Sequence, residues 1–128
     1  MRFKLIVITL LFIALSNEAF SDDFETRLTA GNKALSSSEG QTYEQKLGPA
    51  IQSAMMKCLP PASQYTGQFA LIGNVVRSGK VISVEVRPLD DISQCFAERI
   101  KESTFPVPPL PSEGLEAFPI TIEMNIIP

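Results

Sequence analysis

The stretch Gln68–Arg87, QFALIGNVVRSGKVISVEVR, contains two β-rich runs on either side of Ser78 and Gly79, and this pattern predicts a β-hairpin. If Arg77 faces Lys80 across a two-residue turn, side-chain alternation separates apolar from polar residues. One face then collects Leu71, Val75, Ile82, Val84 and Val86, and the other collects Asn74, Ser83, Glu85 and Arg87. Because an isolated hairpin is marginally stable in water, we expect helices and a third strand to cover the apolar face.

The first 21 residues have the pattern of a secretory signal peptide. Arg2 and Lys4 precede an apolar run at residues 5–15, which is about half the ~20 residues that a membrane-spanning helix needs. Small residues at Ala19 and Ser21 predict cleavage after Ser21. We therefore expect an exported, periplasmic protein that contacts a membrane only during export, with a short retained anchor as the alternative.

The composition argues against nucleic acid and anionic lipid as partners. The 128-residue chain has 11 basic and 14 acidic residues, a net charge of −3 at pH 7, and scattered cations. Nucleic-acid binding depends on clustered cations, and the chain has no polybasic run. The residues after the predicted signal peptide suit one small domain with enough Leu, Ile, Val and Phe for a core.

The sequence carries no catalytic signature. It has no histidine, which is the usual general base and the commonest metal ligand, and no glycine-rich phosphate loop. The carboxylate pairs Asp22-Asp23 and Asp90-Asp91 are adjacent in sequence, so a solvated terminus or a helix cap explains them. We therefore expect no catalysis, no cofactor, no metal site and no small-molecule substrate.

Cys58 and Cys95 are the two cysteines of the chain. An exported protein meets oxidising conditions, so these residues predict a structural disulfide. Closing a loop of nearly forty residues would restrict the unfolded chain by roughly 3.5 to 4 kcal/mol in the loop-entropy model. A redox-active thiol pair is the alternative, but the sequence lacks the Cys-x-x-Cys spacing.

The segments before the hairpin predict helices. Residues 22–35 fit a short helix with Phe24, Leu28 and Leu35 on one side, and residues 36–41, SSSEGQ, have the composition of a linker. The pattern from Thr42 to Gln45 fits a capping box at the start of a helix that ends near Cys58. Pro49 conflicts with an unbroken helix, so we expect either a helix that begins there or a kink.

The segments after the hairpin complete an α-β-β-α-β order. Asp90 and Asp91 are candidate caps for a helix over residues 92–103, and the proline-rich residues 105–111 predict a stiff, extended connector. Alternation over residues 119–127 predicts a half-buried third strand. The predicted class is α+β, a three-stranded antiparallel sheet of order 2-1-3 with helices packed on one face and one disulfide.

Several motifs, in their order and spacing, carry a family resemblance: Tyr65-Thr-Gly67, Arg77-Ser-Gly-Lys80 with Val81–Val84, Ser93–Ala97 and Phe105–Pro109. The segment from Tyr43 to Pro128 resembles the C-terminal domain of TolA and, more distantly, that of TonB. The resemblance implies a domain over residues 42–128, preceded by an N-terminal segment or linker at 22–41. It also implies a periplasmic, non-catalytic module that binds partner proteins partly through an exposed sheet edge.

The chain departs from that family in two respects. The family's first cysteine lies on the first strand, whereas Cys58 precedes it. Energy-transducing members have an uncleaved anchor and a long spacer, whereas the linker here is at most about twenty residues, spanning ~70 Å when extended. The resemblance therefore does not extend to force transduction.

The expected function is protein binding by addition of a partner strand to a sheet edge. The expected partner-binding residues lie on the two outer strands: Val81, Ser83, Glu85, Arg87, Thr121, Glu123 and Asn125. Charges and prolines near these strands also fit protection of the edges against aggregation. On this hypothesis, Ser83→Pro weakens partner capture and leaves the fold intact. The alternative function is a periplasmic immunity or inhibitor protein that neutralises a secreted toxin.

Overall fold

The computed structural model describes residues 23–59, 67–110 and 116–127. The predicted signal peptide and its cleavage point lie outside these ranges. Within them, no helix is both long and apolar enough to cross a membrane.

Three helices and three strands make up the described ranges. Helix α1 covers residues 23–36, α2 covers Ser38–Cys58 and α3 covers Asp91–Glu102. The strands are β1 (Gly67–Val76), β2 (Val81–Arg87) and β3 (Ala117–Ile126). They form one antiparallel sheet in the order β2-β1-β3, which confirms the predicted fold class.

One face of the sheet, called the front face below, packs against α2 and α3. Phe96 of α3 is fully buried and its ring centroid lies 5.5 Å from that of Phe69 on β1. Tyr43 of α2 meets Phe118 of β3 edge-on, also at 5.5 Å. The front-face strand residues in this core are Phe69, Leu71, Val75, Val81, Val86, Phe118, Ile120 and Ile122. Aromatic and aliphatic burial on this face supplies most of the driving force for folding.

The disulfide between Cys58 and Cys95 is confirmed. It joins the end of α2 to α3 with a Cα–Cα separation of 5.8 Å, within the range that a disulfide needs. Both helices lie on the front face, so the bond connects the two elements that cover the core.

The chain between α1 and α2 differs from the predicted linker. Ser37 is the only non-helical residue between the two helices, and its side chain accepts a hydrogen bond from the Gly40 amide at 3.0 Å. Ser37, and not Thr42, is therefore the N-cap of α2. The helix also runs through Pro49. Proline has no amide hydrogen, so the Gln45 carbonyl lacks its helical donor; both residues are exposed. Solvent is within reach of that carbonyl, which lowers the cost of an internal proline.

The predicted hairpin is present, but its register near the turn was wrong. The three pairs far from the turn agree with the prediction: Ala70 with Arg87, Leu71 with Val86 and Ile72 with Glu85. The two near the turn are shifted by one residue: Asn74 with Ile82 and Val75 with Val81. The extra residue is taken up by a bulge opposite Gly73, where Ser83 has a φ of 54°.

The turn itself explains the shift. The Val76 amide donates to the Lys80 carbonyl at 2.9 Å, and the Gly79 amide donates to the Val76 carbonyl at 2.8 Å. The loop therefore has three residues, with Gly79 at a φ of 92°, instead of two. As a result Val81 is buried on the front face, and Ile82, which we expected there, is 42% exposed.

The elements after the hairpin agree with the prediction. Asp90 caps α3, accepting from the Ser93 amide at 2.8 Å while its own amide donates to the Ser93 hydroxyl at 2.9 Å. Residues 105–110 are neither helix nor strand, and the Tyr43 hydroxyl donates to the Pro106 carbonyl at 2.8 Å. In β3, Ile120 and Ile122 are buried and Met124 and Ile126 are half-buried.

Helix α1 packs against the opposite face of the sheet, called the back face below. Its Phe24 is buried, with the Arg87 guanidinium 4.5 Å from the ring centroid. The Thr121 hydroxyl donates to the Leu28 carbonyl at 3.1 Å. Ile72, which is fully buried although it points away from the α2–α3 core, belongs to this face. The predicted helix is thus confirmed, and it closes a second layer of the same domain.

Candidate functional site

The structure separates the seven predicted partner-binding residues into three groups. Val81 and Thr121 are buried, at 2% and 7% exposure, so a partner cannot reach their side chains in this conformation. Ser83 and Glu85 contact Arg27 of α1. The remaining three, Arg87, Glu123 and Asn125, line one groove. Only this last group shares a groove.

The outer edge of β2 is occupied at its turn end. Lys80 forms a β-bridge with Thr104, and the Phe105 amide donates to the Gly79 carbonyl at 2.8 Å. The segment that follows α3 therefore takes the place that an added strand would need. This contact also explains why Gly79 is required: a Cβ there would lie 2.1 Å from the Phe105 carbonyl oxygen.

The middle of β2 is occupied by a side chain of α1. The Arg27 guanidinium donates to the Ser83 carbonyl and also lies 3.4 Å from a Glu85 carboxylate oxygen. A backbone carbonyl at the bulge is thus bonded within the chain. An arginine contact and a bulge are both known ways in which an edge strand is protected from further pairing.

Ser83→Pro is not a clean test of the β2 edge. Proline holds φ near −65°, and Ser83 has a φ of 54°. The substitution would disturb the bulge itself, so our expectation that it leaves the fold intact was wrong.

The two halves of β3 differ in what packs against them. In the first half, α1 lies against the back side of the strand: a Cβ on Gly31 would come 2.9 Å from the Ile120 carbonyl carbon and 3.0 Å from the Thr121 amide nitrogen. The second half, residues 122–126, pairs with Gly67–Leu71 of β1 on its inner side. In residues 23–59, 67–110 and 116–127, no further strand pairs on its outer side.

A groove of about 610 Å³ lies at this end of the sheet and spans all three strands. Its lining combines residues from the end of the sheet that is far from the hairpin turn: Gln68, Phe69, Ala70, Arg87, Pro88, Glu123, Met124 and Asn125. Arg87 and Glu123 have opposite charges and both flank Ala70 in register. The groove therefore offers hydrogen-bonding groups of both kinds at the same end of the sheet as the second half of β3.

One tyrosine of the described residues has a shifted pKa. Burial raises the pKa of Tyr43 to about 12, and its hydroxyl is a hydrogen-bond donor to the Pro106 carbonyl. Tyr43 lies in the front-face core and not in the groove. Among the described residues there is also no cluster of three acidic, cysteine or histidine side chains that would hold a metal ion.

Sequence reasoning missed the roles of Arg27 and Gly31. The missing side chain of Gly31 lets α1 approach the β3 backbone. Two features of the sequence could have indicated this contact: a glycine in an amphipathic helix, and a threonine, Thr121, on the polar side of β3. Arg27 had no signal of its own, because its contacts depend on which face α1 covers.

Comparison with known proteins gives no match to a protein-family model, to a curated protein or to a solved structure.

Proposed function

We propose that the chain is an exported, non-catalytic protein-binding module that accepts an extended segment of a partner protein at the second half of β3, residues 122–126. The observation that supports this proposal most directly is the contrast between the two edges. Arg27 is bonded to Ser83 of β2, and Thr104 and Phe105 are bonded to Lys80 and Gly79 just before that strand, whereas the second half of β3 pairs on one side only within the described residues.

The chemistry of such binding is strand addition. A partner segment would satisfy the unpaired backbone groups of β3, and these hydrogen bonds would supply affinity. Selectivity would come from the side chains that alternate along the strand. Met124 and Ile126 lie on the front side, and Glu123 and Asn125 lie on the back side next to the groove.

Two features support export. The first 21 residues have a basic start, a short apolar run and a small-residue cleavage site. The Cys58–Cys95 disulfide suits an oxidising compartment. Together with the motif resemblance to the TolA C-terminal domain, these features favour an envelope protein in the periplasm. An immunity protein against a secreted toxin has the same features, so identification of the captured partner decides between the two.

The test is capture from a periplasmic extract by the tagged protein and by two edge variants, Asn125→Pro and Ile126→Pro. Amide groups alternate in direction along a strand, so one of the two prolines removes an outward-pointing donor and spares the ladder with β1. Thermal unfolding identifies the variant that keeps the fold. We expect that variant to lose partner capture.

Ile82→Lys, on the exposed side of β2, is the matched control and should capture as the unchanged protein does. The proposal fails if the folded proline variant captures the partner at the original level. It fails equally if Ile82→Lys is the variant that abolishes capture, since the contact would then lie on the other edge.

A further inference from the structure

The segment from Ile122 to Ile126 is complementary to itself when reversed. In an antiparallel pair centred on Met124, Ile122 meets Ile126 and Glu123 meets Asn125 of the second strand. Apolar side chains then face apolar ones on the front side, and each carboxylate faces an amide on the back side. We propose that this segment pairs with the same segment of a second copy, which joins two three-stranded sheets across a two-fold axis at Met124.

The centre of the pairing follows from strand geometry. Directly opposite residues point to the same side of a sheet, so a two-fold pair must be centred on a residue and not between two. Centring on Glu123 would place two carboxylates opposite each other, which is destabilising. Centring on Asn125 would place Glu123 opposite the apolar Ile127. Of the centres at Glu123, Met124 and Asn125, only the one at Met124 matches both sides of the strand.

The approach of α1 limits the pairing from the other direction. Gly31 lies so close to Ile120 and Thr121 that even a methyl group there would meet their backbone atoms at 2.9 and 3.0 Å. A centre at Ile122 would place Glu123 of the second copy opposite Thr121, which is buried against α1 on the back side. The Met124 centre confines the directly paired segment to residues 122–126, which begins immediately after Thr121.

Pairing would also cover side chains that are now partly exposed. Met124 and Ile126 are half-buried beside the front-face core, and a second sheet edge would lie against both. Five paired residues make a small interface, so the association should be weak and concentration-dependent. The unpaired edge would be covered by another copy whenever no other partner is bound, which limits uncontrolled strand addition.

This inference uses the same edge as the proposed function but does not depend on any partner protein. Its test therefore uses the purified protein alone, by sedimentation over a range of concentrations. We expect a monomer–dimer equilibrium. The two-fold axis creates two contacts between residues 123 and 125. Asn125→Lys places a lysine opposite Glu123 in both contacts and should tighten the dimer. Asn125→Glu places two carboxylates opposite each other in both contacts and should weaken it. Each change should be about two- to thirtyfold in dissociation constant.

The exchanged pair Glu123→Lys with Asn125→Glu restores complementarity and should dimerise more tightly than Asn125→Glu alone. Opposite effects of two substitutions at one position cannot be explained by a loss of fold. A protein that stays monomeric at all concentrations, or variants that change the equilibrium in the same direction, would overturn the inference. Either result leaves the partner-capture experiment intact as a separate test.

A thiol at the axis gives an independent measurement. The native cysteines are paired with each other, so Met124→Cys adds one free thiol. Under mild oxidation it should form an intermolecular disulfide faster than Ile82→Cys, whose thiol on the exposed side of β2 reports random collision. Equal rates for the two variants would exclude a pairing centred on Met124.

Discussion

The two faces of the sheet are covered in different ways. On the front face, α2 and α3 contribute a continuous apolar core and are joined to each other by the Cys58–Cys95 disulfide. On the back face, the single helix α1 is placed by a buried ring, a close approach at Gly31 and hydrogen bonds to Ser83 and Thr121. The front face therefore carries most of the stability, and the back face determines which parts of the sheet edges stay accessible.

Removal of the disulfide should have the largest effect, because it acts on the front face. The two cysteines are 37 residues apart in sequence, and the double variant Cys58→Ala, Cys95→Ala removes the closed loop between them from the unfolded chain. The free energy of unfolding should fall by about 4 kcal/mol in the loop-entropy model. Chemical denaturation of the oxidised protein and the double variant measures the difference. A loss below about 1 kcal/mol would mean that the core alone holds α2 and α3 in place.

Gly31→Ala should have a smaller effect that is concentrated on the back face. The added Cβ would lie 2.2 Å from the Thr121 hydroxyl oxygen and 2.9 Å from the Ile120 backbone, so α1 must move away from β3. We expect a loss of about 1–3 kcal/mol, as for other overpacked sites. Amide hydrogen exchange should increase in residues 23–36 before it increases in α2 or α3.

Gly48→Ala is the matched control for this substitution. Gly48 lies in α2, and a Cβ there would meet nothing within 4 Å. Because alanine favours a helix over glycine, this variant should gain about 0.5–1 kcal/mol. If the two variants change stability alike, helix propensity and not the contact of α1 with β3 explains the result at Gly31.

Alkaline pH should produce the smallest of the three effects, and again on the front face. Burial raises the pKa of Tyr43 to about 12 from its ordinary 10.0, so the unfolded chain loses this proton first. Below pH 10 the neutral Tyr43 phenol contributes fully to the free energy of unfolding, and this contribution is lost as the pH rises towards 12. At about pH 11 the cost should be about 1 kcal/mol.

Tyr43→Phe removes this titration. Its stability should fall less between about pH 9 and 11 than that of the unchanged protein, although it lacks the hydrogen bond to Pro106 at every pH. Parallel pH dependence of the two proteins would show that other groups control the alkaline limit.

The predicted elements that proved right are those in which local pattern and global packing agree. The alternation in Ile120, Ile122 and Met124 gives a strand with one buried side, and the two cysteines on the helices that cover the front face form the disulfide. The turn of the hairpin was wrong because Arg77-Ser78-Gly79 forms a three-residue loop, and the bulge at Ser83 restores the predicted register further along. Because the longer turn and the bulge compensate each other, the apolar–polar pattern of the two strands does not reveal either one.

The site was less predictable than the fold, for a physical reason. Alternation identified the sides of β1 and β3 but not those of Val81 and Ile82 near the turn of β2. Burial of Thr121 and bonding of Ser83 depend on α1, which covers the back face. A linker composition at residues 36–41 had suggested that the preceding segment stands apart from the domain. Instead, Ser37 directly follows α1 and is the N-cap of α2, which lies on the front face.

The order β2-β1-β3 makes the central strand depend on β3, which lies far from it in sequence. β1 pairs with β3 along its full length, from Gly67 with Ile126 to Val76 with Ala117. A polypeptide that stops before residue 117, through a nonsense codon or proteolysis, would leave the central strand without one neighbour over ten residues. Such a fragment would still contain both cysteines, so it would be oxidised, compact in part and prone to aggregate.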